Sequence, residues 1–175
     1  MFDAEFHRLM HSSVLCWLAT VDRSGQPNVS PKEVFAAVGD RHLVLANIAS
    51  PTSVHNVLAG SRACASFIDI FVQKGYKVTG PSRYIRRDST EFSQWGDGLV
   101  DVAEPKFSVR GVIVVEAECV ESIVAPSYRI DPGLSEESQV MSALKTYDID
   151  GRLGGTSGPS IESVLGIRAP GGSSR

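Results

Sequence analysis

The sequence predicts a mainly β (α+β) fold, an antiparallel barrel, closed or partly closed, with a few helices at its periphery. Three observations lead there. Six strand candidates, at 14–21, 28–38, 43–46, 62–70, 75–80 and 109–120, dominate the chain. Consecutive strands are joined by turns too short for the crossover that a parallel pair needs. The 175 residues, 42% hydrophobic and 21% charged, suit one compact domain with a real core.

The elements follow in order. Asp3 is placed to cap a helix over 4–10, whose Phe6, Leu9 and Met10 share one face. Residues 14–21 are short, continuously apolar and rich in strand formers. A turn at 22–27, with Gly25 available for positive φ, leads into an extended segment over 28–38. Pro31 lies inside that segment and cannot donate a ladder hydrogen bond, so the strand must be an edge, or bulged, nearby. Gly39 and Asp40 turn the chain into the strand at 43–46.

Ser50 is a candidate N-cap and Pro51 fits the first helical position of a helix that Gly60 ends. Val54, Val57 and Leu58 make its apolar face. After strands at 62–70 and 75–80, Asp88 or Ser89 caps a helix through Trp95, broken by Gly96, Asp97 and Gly98. Over 109–120, Ile113, Val115, Ala117 and Cys119 share one face and Val114, Glu116 and Glu118 the other. A last helix is expected over 135–147. The stretch from Gly151 is rich in Gly, Ser and Pro and reads as an arm, leaving 1–150 as the folded domain.

Charge and composition narrow the function classes. A formal charge of −3 gives no bulk attraction for nucleic acid. No apolar run is long enough to span a bilayer, and residues 1–5 lack the basic and apolar parts of a signal peptide, so a cytoplasmic protein with no membrane partner is expected. The three cysteines, Cys16, Cys64 and Cys119, are widely spaced in apolar runs and read as buried small hydrophobes. His7 and His11 stand at i, i+4 with no third ligand nearby and read as a solvated helix face; no metal is expected.

No P-loop, dinucleotide fingerprint, zinc-protease helix or nucleophile elbow is present. The best candidate site joins the irregular strand at Ser30, Pro31, Lys32 and Glu33 to the stretch from Ala46 and Asn47 through Ser50, Thr52 and Ser53. A helix N-terminus offers unpaired N–H groups and a favourable dipole, the two hydroxyls add donors, and Lys32 adds charge. Together these suit a phosphate; an ordinary N-cap beside a solvated lysine is the other reading. Gly75, Tyr76 and Lys77 lie in a basic stretch that either supplies further donors or is an exposed turn. Trp95 either packs or covers the barrel mouth.

The run from Leu18-Ala19-Thr20-Val21 through Gly25-Gln26-Pro27 to Val29-Ser30-Pro31-Lys32 resembles the opening of the pyridoxamine 5'-phosphate oxidase-like, FMN-binding split-barrel family. The likeness continues through 43–58, through Arg62-Ala63-Cys64-Ala65-Ser66-Phe67 and through Tyr76-Lys77-Val78-Thr79-Gly80. It implies a six-stranded split barrel, a homodimer, and FMN at the subunit interface. By the same resemblance Ser30, Pro31, Lys32 and Glu33 run along the flavin ring, and Ala46 and Asn47 contact it. Thr52 and Ser53 hold the phosphate, while Gly75, Tyr76 and Lys77 close the site.

The chain departs from the family at three places. Thr52 and Ser53 stand where an Arg-Lys pair is usual, Ser30 replaces an arginine, and the arginine- and tryptophan-rich C-terminal substrate motif is missing. The resemblance therefore implies an FMN-dependent oxidoreductase on another small substrate. The alternatives are a non-catalytic flavin store or sensor, or a haem-binding split barrel.

Overall fold

A computed structural model describes residues 1–103 and 107–149. Two compact units make it up. The first comprises Met1–Asp69 and Gln73–Ala125, the second Ile70–Val72 and the chain from Pro126. The stretch over 151–175, expected to be an arm, lies outside the described residues.

The first unit is an antiparallel split barrel. Its elements are α1 (Ala4–Ser12), β1 (Cys16–Val21), β2 (Pro27–Lys32), β3 (Phe35–Val38), β4 (His42–Asn47), α2 (Pro51–Leu58), β5 (Arg62–Asp69), β6 (Lys74–Arg86), α3 (Phe92–Val102), β7 (Gly111–Glu116) and β8 (Cys119–Val124). Neighbouring strands run in the order β2-β1-β5-β6-β7-β4-β3, with β8 also on β6. The chain passes directly from β2 into β3, so the two ends of that order are one stretch of backbone and the path closes.

Eight segments stand where six strands were expected, because two strands are interrupted. The segment over 28–38 breaks at Glu33 and Val34: its first half pairs with β1 and its second with β4. Pro31 opposite Trp17 lies in that first half, whose ladder runs only to β1 among the described residues. This is the edge position that a proline tolerates. The segment over 109–120 breaks at Ala117 and Glu118, yet both halves pair with β6. Gly80 faces this break, and a Cβ there would lie 1.8 Å from the Glu116 carbonyl oxygen. The bulge shifts the in–out alternation by one residue. Cys119, expected inside, is therefore exposed, while Cys16 is buried and Cys64 half-buried.

Side chains of both faces of β4 are buried, for two different reasons. Leu43 and Leu45 fill the barrel; Val44 and Ala46, with Val112 and Val114 of β7, lie under α3. That cover explains why α3 runs through Gly96 and Gly98 instead of ending at them. Burial of Phe92, Trp95 and Leu99 offsets the roughly 1 kcal/mol that each mid-helix glycine costs. Trp95 is packed, with the Arg83 guanidinium 4.8 Å from its ring. At the other side Asp3 caps α1, accepting from the Phe6 amide at 2.8 Å, and the Phe6 ring packs 5.1 Å from both Phe67 and Tyr76.

In the second unit α4 (Ser127–Ile130) precedes α5 (Glu136–Thr146), which Ser135 caps through the Ser138 amide. Tyr128 donates its phenol proton to the Val72 carbonyl at 2.8 Å. Among the described residues no helix is long and apolar enough to cross a membrane, and no group of three or more His, Cys, Asp or Glu could hold a metal.

Candidate functional site

The interruption of the second strand builds the site. At the bend the Val34 carbonyl accepts from the Ala46 amide at 2.9 Å, which fixes the end of β2 against the end of β4. Lys32 then points inward and is only 4% exposed. Its Nζ donates to the Ser50 hydroxyl. Among the described residues no carboxylate pairs with it. Burial accordingly depresses the amine from 10.5 to about 8, against a smaller opposing influence from Cys16.

This placement revises the expected N-cap. The Ser50 side chain caps nothing in α2, because it is turned to Lys32. The Asn47 side-chain oxygen instead accepts from the Ser50 amide at 3.2 Å, which holds the turn between β4 and α2.

A cavity of about 240 Å³ opens at the bend, walled by Pro31, Lys32, Glu33, Val34, Ala46, Ile48 and Phe107 among others. It shares Ile48, Ala49 and Ser50 with a second, of about 350 Å³, which continues past Asn47, Pro51 and His55 to Tyr84 and Arg110. The two are mostly apolar in wall with a few donors: the Lys32 ammonium, the Asn47 amide and the Arg110 guanidinium. That is the usual make-up of a small-molecule site.

Beneath α2 lies a polar layer. Ser53 is 1% exposed; its hydroxyl meets Ser30 Oγ at 2.9 Å and accepts from Asn28 Nδ2 at 3.1 Å. Asn56 donates to Thr20 Oγ1 at 3.1 Å, and its own side-chain oxygen is buried without a partner among the described residues. The buried face of α2 is thus Ser53, Asn56 and Val57, whereas Leu58, expected inside, is 68% exposed. Hydrogen bonds to β1 and β2 decide the rotation of this helix, and hydrophobic periodicity alone does not carry that information.

The structure therefore brings Pro31, Lys32, Glu33 and Ala46 to one cavity and Asn47 to the next. Ser30 and Ser53 sit in the polar layer, and Thr52 is exposed on the first turn of α2. Gly75, Tyr76 and Lys77 line neither cavity. Gly75 and Tyr76 pair with Ile68 and Phe67 of β5, and Lys77 forms an ion pair with Glu121 at 3.1 Å.

Sequence reasoning missed Tyr84 and Arg110. The Tyr84 phenol donates to the Arg110 carbonyl at 3.1 Å and accepts from Asn47 Nδ2 at 3.3 Å. Its ring crosses directly over Gly111, where a Cβ would lie 2.5 Å from the phenol oxygen. A glycine at the start of the longest predicted strand was the available signal that another group approaches the backbone there.

The family described as pyridoxamine 5'-phosphate oxidase matches residues 2–123. No curated protein matches at a significant level. Solved structures do. HupZ of group A Streptococcus is 21% identical over 69% of this chain and 92% of its own, with a TM-score of 0.58. An FMN-binding protein from Syntrophomonas wolfei is 15% identical over 69% of this chain and 84% of its own, with a TM-score of 0.57. An F420 reductase is 20% identical over 68% of this chain and 98% of its own, with a TM-score of 0.53. At these identities the likeness shows the fold alone.

Proposed function

This chain belongs to the pyridoxamine 5'-phosphate oxidase family, and from that premise we propose that it binds FMN in the paired cavities at the β2–β3 bend and acts as an oxidoreductase on a small substrate. One observation carries the reading. Lys32 holds a buried positive charge in a cavity wall with no carboxylate beside it among the described residues. A charge in that condition is costly until an anion pairs with it. A phosphorylated, flat and largely apolar ligand matches both the charge and the apolar walls.

The residues present fit such a group. Lys32, the Asn47 amide and the first-turn N–H groups of α2 at Thr52 and Ser53 would hold its anionic part. Pro31, Val34, Ala46 and Ile48 would line its ring. When bound, FMN supplies a two-electron acceptor; the protein contributes orientation, exclusion of water and positive charge. Lys32 does the last, held in place by Ser50. The FMN-binding and F420 reductase neighbours support a redox cofactor in this fold.

A homodimer completes the proposal. On the outer face of β1 and β2, Trp17 stands opposite Pro31, Ala19 opposite Val29 and Val21 opposite Pro27. Trp17, Val21 and Val29 are 44%, 42% and 57% exposed, an apolar strip of a kind that marks an interface. The strip ends at Pro31, in the wall of the first cavity, so a second copy seated there would cover the ligand. Gly75, Tyr76 and Lys77 enter the site only through such a copy.

A visible spectrum of the purified protein, followed by fluorescence titration with FMN, tests the reading. Saturable uptake of one FMN per chain is expected. NAD(P)H oxidation by the loaded protein separates an enzyme from a flavin store. Failure to take up FMN at saturating supply removes the proposal.

A further inference from the structure

A third cavity, of about 500 Å³, is lined by Tyr84, Arg86, Arg87, Asp88 and Arg110. The three arginines outweigh the single aspartate, and each is held differently. Arg86 forms a two-pronged ion pair with Asp88, at 2.9 and 3.0 Å, with both side chains more than 70% exposed. Arg87 lies 5.7 Å over the Phe92 ring and donates to the Val109 carbonyl at 3.3 Å. Among the described residues the Arg110 guanidinium has no carboxylate partner. Its backbone is tied on three sides: the amide donates to Asn47 O at 2.8 Å, and the carbonyl accepts from the Arg87 amide and the Tyr84 phenol, both at 3.1 Å.

We propose that this recess is an anion site for the phosphoryl group of a small-molecule ligand, separate from the cavity over Lys32. Guanidinium groups present planar forks that match phosphoryl oxygens, and the backbone hydrogen bonds fix the position from which Arg110 reaches the recess. Tyr84 and Arg110 also line the second cavity. Arg86, Arg87 and Asp88 line the third cavity alone and set it apart from the second. Asp88 tempers the site, since it occupies the fork of Arg86. The proposal does not depend on the flavin reading.

Calorimetric titration of pyrophosphate into the full chain, with and without saturating FMN, tests it. Saturable binding is expected, with a dissociation constant that FMN changes by less than twofold. Arg110→Gln should weaken it at least tenfold, and Asp88→Asn, which frees Arg86, should tighten it severalfold. Both positions are exposed, and melting temperatures will show whether the variants fold. Absence of saturable binding, displacement of pyrophosphate by FMN, an Arg110→Gln affinity within twofold of the parent, or weaker binding by Asp88→Asn would each overturn the proposal.

Discussion

Replacing Lys32 by methionine should make the ligand-free protein more stable and the FMN complex weaker. The side chain is 4% exposed, and burial holds its amine near 8 instead of 10.5. At pH 7 that difference corresponds to roughly 3 kcal/mol of unfavourable free energy in the folded state. Loss of the bond to Ser50 takes back about 1 kcal/mol. Methionine, of similar length and without charge, should therefore raise unfolding free energy by about 1–3 kcal/mol. Between pH 8 and 10.5 the unfolded chain keeps the Lys32 proton that the folded chain has lost. Stability of the parent should accordingly rise with pH across that window through this group, whereas K32M lacks the rise and its advantage shrinks toward pH 10.5. Urea unfolding at pH 7 and 10.5 measures both effects, and FMN titration should show at least a tenfold loss of affinity. A K32M protein destabilised by more than 1 kcal/mol at pH 7, or an advantage that does not shrink with pH, would refute the argument that Lys32 is a charge buried without an anion.

Three further outcomes are expected. Gly111→Ala drives a methyl into the Tyr84 phenol and the Ile85 carbonyl, both 2.5 Å from the new Cβ. It should cost about 2–4 kcal/mol in thermal or urea unfolding and disturb near-UV circular dichroism from tyrosine. Thr20→Val removes the acceptor shared by Asn28 and Asn56 while preserving shape. It leaves a buried amide unpaired, so stability should fall by about 1–3 kcal/mol, and a loss below 0.5 kcal/mol would mean that water replaces the hydroxyl. Trp17→Glu places a charge in the proposed interface strip; size-exclusion with light scattering should report a dimer for the parent and a monomer for the variant.

The strands, the cap at Asp3 and the bend near Pro31 were legible because they depend on alternation, turn chemistry and the missing proline donor. Lys32 and Asn47 were legible as candidates, since a kinked strand beside a helix start marks an anion-binding geometry. Three features were not. The rotation of α2 follows from Ser53 and Asn56 bonding to residues 23 to 36 positions away, against the hydrophobic pattern that favoured Leu58. The exposure of Cys119 follows from one extra residue at Ala117–Glu118, which leaves no local signature. Tyr84 and Arg110, 26 residues apart, meet only because β6 and β7 pair in register.

What the sequence determined on its own, then, was the barrel, its open edge at the proline and the short list of polar residues near a helix start. All of these were read from patterns local to the chain, namely alternation, turn residues and a proline without a donor. The tertiary structure alone decided that Lys32 is buried with no opposing charge among the described residues and that three arginines share one recess. Burial and charge pairing are properties of neighbours in space, and the register of distant strands chooses those neighbours.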